Sequence, residues 1–289
     1  MIYRIDLVKD VLWIEADAVQ KYAVLNFSAQ HSRNAMSMDM ANALAQMAHD
    51  CTQQNSSNPL AQLIYSQKIL ALVLKSHCRN IFMSGGDLKA ISKFNAHDGE
   101  IFTHKMRSFT HFLRTGPLIS IAFLNGLAAG GGSEIALAAD LRIALTSDVT
   151  IELAQTRWGV PAGWGMMTDL ASKGIYSSER RRSIAVISQE SWDLKKLLDL
   201  GLIDANFVGN QNPESSAQIW LEEFLKRISA CPNDLRHELL INRPNQPHLE
   251  LEEFDKKLFS RHWLSAEHRA RVTTFIESRT EKKKGAPKK

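Results

Sequence analysis

Cysteine is scarce in this chain of 289 residues. It holds three, Cys51, Cys78 and Cys231, with no CxxC and no Cys/His spacing suited to a metal. A scattered, odd set argues against a disulfide framework and fits a reduced, cytosolic protein. Long apolar runs are missing too. The most apolar stretch, Pro117 to Gly132, is shorter than a bilayer span and rich in glycine, so no membrane partner is expected. Met1 to Gln20 has no apolar h-region and carries Asp6, Asp10, Glu15 and Asp17, which gives no sign of a signal peptide.

A broad excess of one charge is absent as well. The formal net charge is +4, and much of it sits in Lys282, Lys283, Lys284, Lys288 and Lys289. The body is near neutral, so no nucleic-acid partner is expected. The P-loop, G-x-G-x-x-G, G-x-S-x-G and H-E-x-x-H patterns do not occur. His97, His104 and His111 recur every seven residues but lack carboxylate or cysteine partners at ligand spacing, so no metal is expected there.

What is present suffices for a folded core: 44% of residues are hydrophobic and 23% are charged. Tyr3 to Val8, Val11 to Ala16 and Tyr22 to Phe27 alternate like strands. Ser37 opens a helical pattern with Met40, Leu44 and Met47 on one face, closing at the Asn55–Pro59 breaker. Ile69 to Leu74 and Leu118 to Leu124 are apolar runs suited to strands buried on both faces. Each leads into a glycine turn and then a helix. Helical signals follow Asp87, run from Glu100 to Arg114, and run again from Ser133 to Ala139, before a strand at Leu141 to Leu145. The pattern predicts an α/β layered fold. From about Ser178 strand signals fade, and helices are predicted at Ser178–Ile187, Trp192–Leu200, Glu214–Ile228 and Ala266–Ser278.

The glycine turns are Ser84–Gly85–Gly86–Asp87 and Gly130–Gly131–Gly132–Ser133. A strand that runs through glycine into a helix leaves backbone N–H groups free at the helix start, where the dipole favours an anion. Two such groups converging would form an oxyanion hole. Tight turning alone also explains the glycines, and spacing does not choose between the two.

Taken together, the motifs resemble the crotonase (enoyl-CoA hydratase/isomerase) superfamily. Ala71 to Ile91 is similar to that family's strand, Gly-x-Asp turn and helix. Gly116 to Ala144 is similar to its second signature, with Asn-Gly, the triple glycine, a glutamate two residues later and Asp-x-Arg. Arg33–Asn34–Ala35–Met36, Trp158–Gly159, Trp164–Gly165 and Leu200 to Asp204 match more weakly, in the right order. The resemblance implies a ββα spiral core over 1–204 and a helical C-terminal region over 205–280; the lysine-rich composition of 281–289 reads as a disordered basic tail. It implies an acyl-CoA thioester as substrate, with CoA belonging to the substrate and no separate cofactor. It also implies a homo-oligomer, a trimer or a dimer of trimers.

By the same resemblance, Gly86 and Gly131 stand at the oxyanion-donor positions. Arg33, Asn34, Gly86, Asp87, Leu88 and Lys89 lie where relatives hold the acyl-CoA. The acyl pocket is expected from the loop Lys93 to Thr103 and the C-terminal helices. Glu134 matches the first acid–base carboxylate of the hydratases. The second falls on Gln155, whose amide cannot exchange a proton usefully near neutral pH. Asp87–Leu88, Ala90, Asp98–Gly99, Phe109 to Arg114 and Pro117 to Ser120 also resemble ethylmalonyl-CoA decarboxylase-type members. The reading is a lyase or isomerase that forms a thioester enolate, with decarboxylation slightly ahead of hydration. The alternative is a non-catalytic acyl-CoA-binding relative. Asp140 and Arg142 are read as a structural ion pair or turn contact, and Trp158 and Trp164 as packing or pocket wall.

Overall fold

Alternating residues build the first edge of the main sheet. The computed structural model describes residues 2–231, 256, 259–260 and 262–284. In β2 (Leu12–Asp17) every second side chain is buried, and it pairs antiparallel with β1 (Ile2–Val8) and β3 (Tyr22–Phe27). β3 then pairs in parallel with β4 (Ala71–Ser76), and β6 (Ile119–Leu124), β8 (Leu141–Ala144) and β11 (Ala205–Asn206) follow in that order. β6 is buried at every position because the sheet is covered on both sides. Leu72, Leu74 and Ala122 belong to the main core. Val73, Ile121 and Ile143 meet Ala217, Leu221 and Leu225 of α9 (Pro213–Ala230). Continuous apolar strands are what such two-sided cover requires.

No local sequence pattern marks the strands of the second sheet. It has the order β10-β9-β7-β5, formed by β5 (Ile81–Met83), β7 (Leu127–Ala129), β9 (Thr150–Glu152) and β10 (Ser191–Asp193). Each strand has three residues, too few to show a period. Trp192, expected in a helix, lies in β10. The helix starts later, as α8 (Leu194–Asp199), because Asp193 accepts from the Lys196 amide at 2.8 Å and caps it. With both sheets in view the chain repeats strand, strand, helix, and it is an α/β fold with the expected ββα spiral.

Caps place the helices. Ser37 accepts from the Met40 amide and opens α1 (Met38–Thr52). The Asn55–Pro59 stretch ends one helix and starts another. Asn58 caps α2 (Pro59–Tyr65), with Pro59 in the first turn, where its missing N–H costs nothing. Asp87 caps the short α3 (Leu88–Ile91). Asn95 and Asp98 form a capping box, so α4 (Ala96–Thr115) begins ahead of Glu100. His97, His104 and His111 are exposed along α4. The C-terminal helix, α10 (Ala266–Lys284), extends into the stretch expected as a basic tail; residues 285–289 lie outside the described ones. Among the described residues no helix is long and apolar enough to cross a membrane.

α6 (Met166–Ser172), which packs on α5 (Gly131–Ala138), carries the buried charge Asp169. Arg114 on α4 pairs with Asp169 at 3.1 Å, and Arg142 pairs with Asp204 at 3.2 Å. Arg142 also donates to the backbone carbonyl of Asp140 at 3.1 Å, and the Asp140 carboxylate accepts from the Ser120 amide and hydroxyl, each at 3.0 Å. Lys173 donates to the Ala139 carbonyl at 3.3 Å, and burial lowers its pKa to about 8 from 10.5. Above about pH 8 the folded protein sheds this proton while the unfolded chain keeps it up to 10.5. The Lys173 contribution to stability therefore improves as pH rises through that window. In urea titrations, wild type is expected to gain stability relative to Lys173→Met across it; a constant difference would refute the shift.

Candidate active site

The two glycine turns stand side by side because their strands are neighbours. β5 and β7 run parallel, with Ile81 opposite Leu127 and Met83 opposite Ala128. Each strand then leaves the sheet through its glycines. Gly85 has φ +92°, and a Cβ there would lie 3.0 Å from the Gly131 nitrogen and 3.0 Å from the Ala129 carbonyl oxygen. Only glycine permits this approach with that backbone.

The hydrogen bonds around Gly86 fix where its amide points. The Met36 amide donates to the Gly85 carbonyl at 2.7 Å, and the Asp87 amide donates to the Met36 carbonyl at 3.0 Å. Residues 85 and 87 thus bond toward Met36, and the Gly86 N–H is directed to the other side of the extended chain. No acceptor for it occurs among the described residues. Gly131 is the first residue of α5, so its N–H is one of the four without an intrahelical partner. Gly86, Gly131, Glu134 and Gln155 line one cavity of about 600 Å³.

Glu134 sits one turn into α5 and is 2% exposed. Its carboxylate is heavily engaged. One oxygen accepts from the Gly163 amide at 3.2 Å and the Gln155 side-chain amide at 3.3 Å. The other accepts from the amides of Trp164 at 2.6 Å and Met166 at 3.3 Å. Burial pushes its pKa above the ordinary carboxylate value, and the four donors pull part of the way back. The turn that supplies three of them is braced by α4. Arg107 donates to the Gly163 carbonyl at 2.9 Å, and Thr110 donates to the Trp164 carbonyl at 2.5 Å. Nothing in the sequence pattern marks Arg107 or Thr110, because their partners lie more than fifty residues away.

Gln155 opens a 3-10 segment ending at Trp158 and is 4% exposed. Its Nε2 donates to the Gly130 carbonyl at 3.0 Å as well as to Glu134. A glutamate here would set a carboxylate against two acceptors, so the pocket is built for the amide. Its Oε1 is buried with no hydrogen-bond partner among the described residues.

The structure brings Arg33, Asp87, Leu88 and Lys89 to this same cavity, with Arg33 and Lys89 exposed. Asn34 is not part of the lining. Its side chain is fully buried, and every polar atom is committed. Oδ1 accepts from the Ala29 amide at 2.8 Å and from the Cys78 thiol at 3.2 Å. Nδ2 donates to the Ser76 hydroxyl at 2.9 Å and the Phe82 carbonyl at 3.0 Å. Asn34 ties its loop to β4 and β5 and presents nothing to a ligand.

Of the expected acyl-pocket segments, the stretch Lys93 to Thr103 adds no lining residue and the C-terminal region adds several, including Phe259, Trp263, His268 and Phe275. Trp158 and Trp164 form wall as anticipated. Trp263 stacks on Phe259 with ring centres 4.9 Å apart and on Phe102 at 6.4 Å. It packs against Gly99 so closely that a Cβ on α4 would strike its indole.

A sequence profile of the family described as enoyl-CoA hydratase/isomerase matches residues 23–285. The chain belongs to the enoyl-CoA hydratase/isomerase family. Ethylmalonyl-CoA decarboxylase of Bos taurus is 31% identical over 153 residues, 51% of this chain and 48% of that protein. The mitochondrial methylglutaconyl-CoA hydratase of Homo sapiens is 29% identical over 195 residues, 67% of this chain and 52% of that protein. The chain thus spans about half the length of the curated relatives it matches. An enoyl-CoA hydratase/isomerase from Mycobacterium paratuberculosis has the same fold, with a TM-score of 0.73 and 16% identity, covering 92% of this chain and 99% of the other. The human mitochondrial delta3-delta2-enoyl-CoA isomerase superposes with a TM-score of 0.72 and 18% identity, covering 94% and 99%.

Proposed function

We propose that this chain binds a malonyl-type CoA thioester and releases carbon dioxide from it, holding the resulting enolate oxygen on the amides of Gly86 and Gly131. The observation that carries this reading is the state of the two acid–base positions. Glu134 is already bonded to the amides of Gly163, Trp164 and Met166 and to Gln155, and Gln155 is itself neutral. Hydration asks two carboxylates to activate a water and deliver a proton. Decarboxylation needs no base to begin: the bond from Cα to the carboxylate breaks, and its electron pair becomes the enolate.

The walls support the same chemistry. Trp158, Trp164, Trp263 and Phe259 line the cavity. A carboxylate held against aromatic rings is poorly solvated, and its loss as neutral carbon dioxide relieves that. Two unbonded N–H groups meet the charge that develops on oxygen. Arg33 and Lys89 supply exposed cations on the lining for the phosphates of CoA.

A panel of crotonyl-CoA, a 3-enoyl-CoA, methylmalonyl-CoA and ethylmalonyl-CoA, followed by mass spectrometry, tests the proposal. Decarboxylated product from a malonyl-type thioester is expected, with no hydrated crotonyl-CoA. Hydration or isomerisation without carbon dioxide release would overturn it. Tight binding with no turnover of any thioester would point instead to the non-catalytic relative that the neutral Gln155 also permits.

A further inference from the structure

Loss of carbon dioxide leaves an enolate whose Cα must still take up a proton; the Gln155 amide does not titrate, and both oxygens of Glu134 already accept hydrogen bonds. The cavity lining also carries His31, Glu152, Arg157 and His268, and of these only His268 is buried. His268, in the first turn of α10, is 1% exposed and belongs to the cavity wall. Its ring lies against Trp263 with centres 4.9 Å apart. Nδ1 is 2.8 Å from the carbonyl oxygen of Trp158. A carbonyl only accepts, so Nδ1 carries the hydrogen, and in the neutral ring Nε2 is left with a lone pair. That Nε2 is buried with no hydrogen-bond partner among the described residues. A buried, unsatisfied ring nitrogen is costly unless something in the cavity uses it.

We infer that His268 is the acid that protonates Cα of the enolate, a role that rests on the enolate-forming function proposed above. As the anionic substrate enters, Nε2 takes one proton from solvent, favoured by the incoming carboxylate. The Cα–carboxyl bond then breaks, carbon dioxide departs, and the electron pair stays in the enolate. Nε2–H gives its proton to Cα, which forms the new C–H bond and returns the imidazole to its neutral state. One proton is consumed for each carbon dioxide released. Burial and the neighbouring Arg269 hold the His268 pKa below the ordinary histidine value, with the Trp158 carbonyl acting against them. The resting ring is therefore the neutral form, which in the reverse direction removes the α-proton of a saturated acyl-CoA.

The reverse half-reaction supplies the test. Full-length protein is incubated with butyryl-CoA in D2O, and exchange at C2 is followed by NMR. Wild type is expected to exchange one of the two C2 hydrogens stereospecifically. His268→Asn keeps an amide donor for the Trp158 carbonyl and deletes Nε2; it should exchange at least about tenfold more slowly. His268→Gln, which puts a non-titrating amide near the Nε2 position, should behave alike. Exchange of both hydrogens at random in wild type overturns the inference without any variant. So does an unchanged rate in either folded variant. Carbon dioxide release is scored separately with ethylmalonyl-CoA. If wild type exchanges through His268 and decarboxylates nothing, the proposed reaction fails and the proton role stands. If both variants decarboxylate and exchange as wild type does, the reaction stands and the proton role fails.

Discussion

Gly86→Pro is expected to lower kcat on the thioester substrate by about 10²–10³-fold while the protein remains folded. Proline lacks the backbone N–H and places its ring Cδ where that hydrogen was. In most positions this would break a structural hydrogen bond, but here the Gly86 amide makes none among the described residues, and the bridge to Met36 runs through residues 85 and 87. A Cβ at Gly86 would come within 2.6 Å of Cδ1 of Ile91, the far end of a side chain that can turn away. Gly86→Ala brings the same Cβ and keeps the N–H, so it separates lost space from a lost donor. The proline variant should fall far below the alanine variant in kcat, with thermal midpoints close together. Equal activities would remove the Gly86 amide from the reaction.

The features that the sequence reveals are those written in short segments. The long apolar strands β4 and β6, the glycine turns, Glu134 and the neutral Gln155 all follow from local pattern and resemblance. What stayed hidden depends on contacts between distant segments. The second sheet consists of three-residue strands, and it is this sheet that puts Gly85 against Gly131. Asn34 belongs to a motif near the expected CoA site, yet its left-handed backbone, φ 55°, and its four hydrogen bonds make it a brace. His268 is a single histidine in a charged helix. It gains meaning only when the fold carries α10 across to Trp158, 110 residues away in sequence. A neutral residue at 155 could be read as damage to the site. The Gly130 carbonyl beside it shows why an amide is the residue that fits.

The geometry of Glu134 depends on a turn held by α4 and α6, and Arg114→Met should show how much the fold invests there. Asp169 is fully buried, and Arg114 approaches both of its oxygens, at 3.3 and 3.1 Å. Methionine matches the bulk of the arginine stem but leaves the carboxylate without its principal counter-charge. Breaking such a pair from one side costs about 3–5 kcal/mol, because the remaining charge stays buried. The pH dependence identifies the cause. Burial already raises the Asp169 pKa above 3.8, and Arg114 is the first influence opposing it. Without Arg114 the folded-state pKa rises further. A carboxyl raised on folding contributes its full stability below the unfolded pKa and loses it as pH rises through the folded value. Urea denaturation should therefore find Arg114→Met markedly unstable at neutral pH and closer to wild type in mild acid. Replacing both partners, Arg114→Met with Asp169→Leu, should recover much of the loss at neutral pH, since no charge is then stranded. A penalty that ignores pH and persists in the double variant would assign Arg114 a packing role and leave the ion pair with none.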